Sequence, residues 1–247
     1  MTSGAEKIAS GINGLLKQLD VVSHNVANAQ TAGFKKRLLT FHQEYQKRLE
    51  ALRGDCSVRN VPIRTDQAVD FSQGTLIQTE RPLDLGLEGR GFLTVQTSGG
   101  PLYTRSGCLR INKLGQLTDL GGRIVSGDNG PINLPPGTGE VDLQISSDGM
   151  IRAGGAEMGK LRLADFGDQE DRLIPAGMGV FAAPADLRPN PAVNLKIRQG
   201  YQEGSNVQMV GELVNMVSLS RMYEANMNVL KRQQENAQTV LGVANVT

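Results

Sequence analysis

An amphipathic helix pattern stands at each end of this chain, and well over a hundred residues of Gly-rich, strand-like sequence separate the two. Near the start, Ile8, Ile12, Leu15, Leu19, Val22 and Val26 advance in alternating four- and three-residue steps. That spacing keeps a narrow apolar stripe on one helix face. Near the end, Met209, Leu213, Met216, Ser220, Tyr223, Met227, Leu230, Gln234, Ala237 and Leu241 repeat the pattern. With no concentrated chemistry between them, the paired stripes point to an assembly component rather than an enzyme. The expected fold class is α+β: long N- and C-terminal helices pairing as a coiled coil, enclosing in sequence a mainly antiparallel, all-β central domain.

A chain of 247 residues can bury a substantial core as one domain or two. The expected division is residues 1–60 for the N-terminal helix and arm, 61–200 for the β domain and 201–247 for the C-terminal helix. Lys and Arg number 26 against 25 Asp and Glu, so no net field recommends nucleic acid or an anionic membrane. Thirty glycines and no tryptophan suit a turn-rich β protein. No stretch approaches the roughly twenty apolar residues of a membrane-spanning helix. Lys7 and Lys17 interrupt the first helix, whose pattern is periodic rather than that of a signal-peptide core, which leads us to expect the cytosol or export without a cleaved leader.

The first helix is predicted from Ser3 or Gly4 to about Asn28, weakened by Gly11 and Gly14 at about 1 kcal/mol each relative to alanine. The segment Phe34 to Arg53 reads as helix or extended arm. From about Pro62 short alternating runs are broken by glycine, the pattern of hairpins, with strands expected at 75–79, 92–97, 102–105, 108–111, 123–125, 141–145, 150–153, 160–165 and 180–183. Asp148-Gly149 is the strongest turn, expected to hold positive φ at both positions. The proline-rich stretch 184–191 reads as an exit linker, and Ser205 with Gln208 as a capping box opening the last helix.

Candidate chemistry is thin. His24 and His42 are the only histidines and read as solvated or helix-end groups; Cys56 and Cys108 form no Cys-x-x-Cys pair and read as structural thiols, with a disulfide between them left open. Gly86, Gly89 and Gly91 have the wrong spacing for a dinucleotide loop and precede a strand, so they read as a turn. Lys35, Lys36 and Arg37 read as a solvated face or a contact for an acidic neighbour. No nucleophile elbow, phosphate loop or zinc-binding helix motif is present, and no catalytic residue, cofactor or metal is expected.

The stretch Asn25-Val-Ala-Asn28-Ala-Gln-Thr31-Ala-Gly33-Phe34-Lys35 resembles the N-terminal signature of the axial proteins of the bacterial flagellum, the rod, hook and hook-associated subunits. Glu203-Gly-Ser205-Asn206-Val207, followed by Glu212, Met216, Arg221, Tyr223, Glu224 and Asn226, resembles their C-terminal signature. Leu83-Asp84, Gly89-Arg-Gly91-Phe92, residues 103–107 and 115–117 are similar to the central β domain of rod subunits, and residues 127–135 look most like the proximal-rod subunit.

The resemblance implies a structural subunit that polymerises into a hollow drive shaft transmitting torque from motor to hook. Its partners would be copies of itself, other rod subunits, surrounding ring proteins and the flagellar export apparatus, in a periplasmic basal body reached without a cleaved leader. Nucleic acid and small-molecule substrates are not implied. The assembly interface it suggests comprises Ile8, Ile12, Leu15, Leu19, Val22, Asn25, Asn28, Thr31, Gly33, Phe34, Ser205, Asn206, Val207, Leu213, Met216, Arg221, Tyr223, Glu224, Met227 and Leu230. A distal-rod or hook-type subunit and a free-standing coiled-coil scaffold are the competing readings. The two stripes alone bury too little to offset the entropy of ordering long helices, so the ends are expected to order on assembly.

Overall fold

The computed structural model of the chain describes residues 3–43 and 63–244. Two compact units emerge, one formed by residues 1–27, 37–68 and 208–247, the other by 28–36 and 69–207.

In the first unit, α1 (Ser3–Ala27) ends one residue from the expected Asn28, and the arm that follows is extended, as β1 (Arg37–Gln43) paired with β2 (Ile63–Val69). This resolves the helix-or-arm ambiguity for residues 37–43; residues 44–53 and Cys56 lie outside the described residues. The last helix, α2 (Met209–Ala244), packs against α1. On α1, Val21 and Val22 are buried and Ile12, Leu15, Leu19 and Val26 half-buried, which is the expected stripe widened by its neighbour Val21.

The second unit is built from short strands. In chain order they are β3 (Leu76–Gln78), β4 (Leu85–Glu88), β5 (Phe92–Thr97), β6 (Gly100–Thr104), β7 (Leu109–Ile111), β8 (Leu117–Asp119), β9 (Ile124–Gly127) and β10 (Gly130–Pro131). They continue as β11 (Leu143–Ile145), β12 (Met150–Ala153), β13 (Ala156–Lys160), β14 (Leu163–Asp165), β15 (Ile174–Pro175), β16 (Val180–Ala182), β17 (Asn190–Pro191), β18 (Lys196–Gln199) and β19 (Tyr201–Glu203). The main sheet runs β15-β16-β6-β5-β9-β8-β7, with β10 on β9, and β14 joining β5 to β17. A separate meander is β11-β12-β13, and the returning strands β18 and β19 pair with β4 and β3.

Period-two patterning explains the core. Leu83, Leu85 and Leu87 alternate inward and are fully buried, joined by Leu93, Val95, Leu109, Leu117, Val125 and Ile151. A second cluster is aromatic: Phe71, Phe92, Phe166, Phe181 and Tyr103 meet edge to face, with centroids 4.8–6.1 Å apart. These rings supply bulk in a core without tryptophan.

Two local expectations are corrected. At the β11–β12 turn only Gly149 has positive φ, at 86°; Ser146 N donates to Met150 O and Gly149 N to Ser146 O. The loop spans four residues, so a single left-handed glycine closes it and Asp148 stays right-handed. The stretch 184–191 is not an exit linker, because Leu187 is buried, Asn190–Pro191 pairs with β14, and the chain returns through β18 and β19.

Candidate assembly interface

The N-terminal signature turns sharply before entering the β unit. Thr31 N donates to Asn28 O and Phe34 N to Thr31 O, while Thr31 Oγ1 bonds Asn28 Oδ1. At Gly33 φ is +69° and its N donates to Glu203 O at 2.7 Å; a Cβ there would stand 2.4 Å from Ser106 N. Only glycine satisfies both the left-handed backbone and the contact. Phe34, next in sequence, is buried.

Lys35 is buried too, which corrects its reading as part of a solvated basic face. Its Nζ donates to Glu203 Oε1 at 2.7 Å and to Ser72 O at 2.6 Å. Gly74 N donates to the same Glu203 oxygen, and Arg105 Nε stands 3.0 Å from the other. Arg105 Nη1 also donates to Gly89 O and Gly91 O, so the carbonyls of the glycine turn are engaged by a guanidinium. Burial pushes the Lys35 ammonium below its ordinary value, and the Glu203 carboxylate offsets part of that shift. The carboxylate of one signature thus neutralises cations from the other signature and from the β domain.

Asn206 completes this arrangement. Its Oδ1 accepts from Lys36 N at 2.7 Å, and its Nδ2 donates to Asp70 O at 2.8 Å and to Ser72 O and Oγ. Ser205 Oγ accepts from Val207 N, two residues on, and α2 begins only at Met209. Ser205 therefore closes a local turn rather than the expected capping box. Val207 is buried.

In the helical unit Asn25 is the corresponding node. Its amide forms a reciprocal pair with Arg37, Oδ1 accepting from Arg37 N and Nδ2 donating to Arg37 O, each at 2.9 Å. The same Nδ2 stands 3.4 Å from Glu212 Oε2 on α2, and both side chains are buried. Nearby, His24 is held below its ordinary value by burial and then by Arg37, with Asp20 opposing.

The half-buried face of α2 comprises Met216, Leu219, Ser220, Tyr223, Asn226 and Leu230, with Glu212 fully buried at its head. Four of the stripe residues lie on it, whereas Met209, Leu213 and Met227 stand exposed, as do Arg221 and Glu224. Hydrophobic spacing missed the difference because Glu212 and Asn226 are polar yet inward-facing. On the opposite side Val210, Leu213, Val214 and Val217 form an exposed aliphatic stripe at i, i+3, i+4 and i+7. Lys35, Glu203 and Arg105 were not singled out as interface residues; the one available signal was the pairing of a lysine and a glutamate inside the two signatures. The Ile8 side chain is outside the described residues.

The chain matches the family model described as Flagella basal body rod protein over residues 9–35. It matches Flagellar hook protein FlgE/F/G D1 domain over 86–153 and Flagellar basal body rod FlgEFG protein C-terminal over 198–243. It is 33% identical to the flagellar basal-body rod protein FlgF of Caulobacter vibrioides, over 85% of each chain. The FlgF protein of Escherichia coli K12 is 30% identical over 90% of each. The rod protein FlgG of Agrobacterium fabrum is 29% identical over 94% of this chain and 95% of its own. Matches at both ends and the middle, in order, coincide with the segments that build the two buried nodes. The chain is a structural subunit of the flagellar rod rather than an enzyme and belongs to the flagellar basal-body rod protein family.

Proposed function

We propose that this chain is a proximal-rod subunit whose α1 and α2 pair as a coiled coil and polymerise, with copies of itself and other rod subunits, into a hollow shaft that carries torque from motor to hook. The observation that carries this reading is the outer face of α2. Val210, Leu213, Val214 and Val217 are 43–76% exposed on the side away from the half-buried face, an apolar stripe that one subunit leaves uncovered. Neighbouring helices in a polymer would cover it. The periplasmic basal body, passage through the flagellar export apparatus without a cleaved leader, and surrounding ring proteins belong to the same proposal. A distal-rod placement is the second reading, favoured by the likeness to proteins named FlgG.

The test is Leu213→Asp in cells lacking the native copy. Because Leu213 is exposed, the isolated variant keeps the wild-type fold by circular dichroism, yet a charge in the polymer interface abolishes rod assembly and swimming. Normal motility with Leu213→Asp would remove the α2 stripe from the interface. Cryo-EM of basal bodies carrying a labelled copy separates proximal from distal placement.

A further inference from the structure

The β unit carries an apolar knob and an apolar groove at different places on its surface. Leu114, at the tip of the β7–β8 hairpin, is 79% exposed. The tip is rigidly made: Asn112 Oδ1 accepts from Leu114 N and Gln116 N at 2.9 Å, Leu134 N donates to Gly115 O at 2.8 Å, and Gln116 Nε2 donates to Asn133 Oδ1 at 3.1 Å. A leucine displayed on a fixed turn loses little conformational freedom when it docks. Lys113 beside it is exposed, so the knob carries a positive charge on its flank.

The groove has a volume of about 340 Å³, with Leu163, Val193 and Leu195 in its walls and Asp128, Asp148 and Lys160 at its polar edge. Val193 is 88% exposed. Asp148 Oδ2 lies 3.3 Å from Lys160 Nζ, which leaves the exposed Asp128 as the surplus negative charge. Shape and charge are therefore complementary to the knob: an aliphatic slot with an anion beside it, facing an aliphatic tip with a cation beside it. Leu114 does not line the groove of its own copy.

We infer that Leu114 of one copy seats in the groove of a second copy, with Lys113 against Asp128. The inference rests on the rod-subunit reading. Knob and groove are different surfaces, so the contact is heterologous; repeated, it yields a ring or an open helix instead of a closed dimer. That is the class of contact a shaft needs.

The experiment expresses full-length variants in flagellated cells lacking the native copy and measures the subunit in purified basal bodies by immunoblot, with circular dichroism of each purified chain as a fold control. Leu114→Asp lowers incorporation by about ten- to hundredfold, the equivalent of losing one buried leucine. Lys113→Glu and Asp128→Lys each lower it by about two- to fivefold, and the double reversal restores the wild-type level. Wild-type incorporation of Leu114→Asp, or a double reversal no better than the single changes, overturns the contact. Absence of the wild-type chain from basal bodies would instead overturn the rod reading itself, so the two failures are distinguishable.

Discussion

Lys35 Nζ stands 2.7 Å from Glu203 Oε1, with neither side chain exposed and 168 residues of chain between them. Glu203 is also the counter-ion of Arg105. Glu203→Gln therefore strands two buried cations and costs about 3–5 kcal/mol of the β unit's stability, read as a lower urea midpoint. Lys35→Met costs less, because Arg105 still neutralises the carboxylate. A Glu203→Gln midpoint within about 0.5 kcal/mol of wild type, the range of an ordinary surface change, would rule out this role.

Gly33→Ala meets two obstacles at once, a left-handed φ of +69° and a Cβ position 2.4 Å from Ser106 N. Left-handed strain alone costs about 1–3 kcal/mol, and the overlap adds to it. Backbone hydrogen exchange should show the Gly33 amide, bonded to Glu203 O, opening faster in the variant. Unchanged protection would mean that the turn adapts without strain.

Asn25 both donates to and accepts from Arg37 while lying beside Glu212, a combination that only a carboxamide supplies. Asn25→Ala orphans buried polar groups at a cost of about 1–3 kcal/mol. Asn25→Asp keeps the acceptor but loses the donor and sets a second carboxylate against Glu212, so it is at least as damaging. The yield of each variant in assembled rods measures this. Equal incorporation of Asn25→Asp and wild type would show that the amide donor is dispensable.

Burial raises the Cys108 thiol above its ordinary value, with the Asp84 carboxylate adding to the shift. Such a group favours the fold below its ordinary value, and that contribution is lost as pH climbs through the raised one. In a Cys56→Ser background, iodoacetamide at pH 8 should label the native chain far more slowly than the urea-unfolded chain. Equal rates would place the thiol in solvent.

Much of this architecture was legible in the sequence because its causes are local. Alternation placed Leu83, Leu85 and Leu87 in the core, and β5 and β12 were found at their exact limits, since a period of two needs only the next few residues. Strands such as β18 and β19 escaped notice: Lys196–Gln199 and Tyr201–Glu203 are polar on one side and strand-like only because β4 and β3 accept them. The packed side of α2 was placed one residue off at several positions for the same reason. Glu212 and Asn226 turn inward against hydrophobic spacing, and Asn25 is the partner that lets Glu212 do so.

The α+β order, the apolar stripe of α1 and the family follow from residue pattern and signature motifs, because helix and strand periods and turn glycines act over short stretches of chain. That Lys35 is an interior cation and not a surface charge could not follow from any local pattern. A lysine tolerates burial only where a counter-ion arrives, and Glu203 arrives from the far end of the chain through two strands whose own placement depends on the folded sheet.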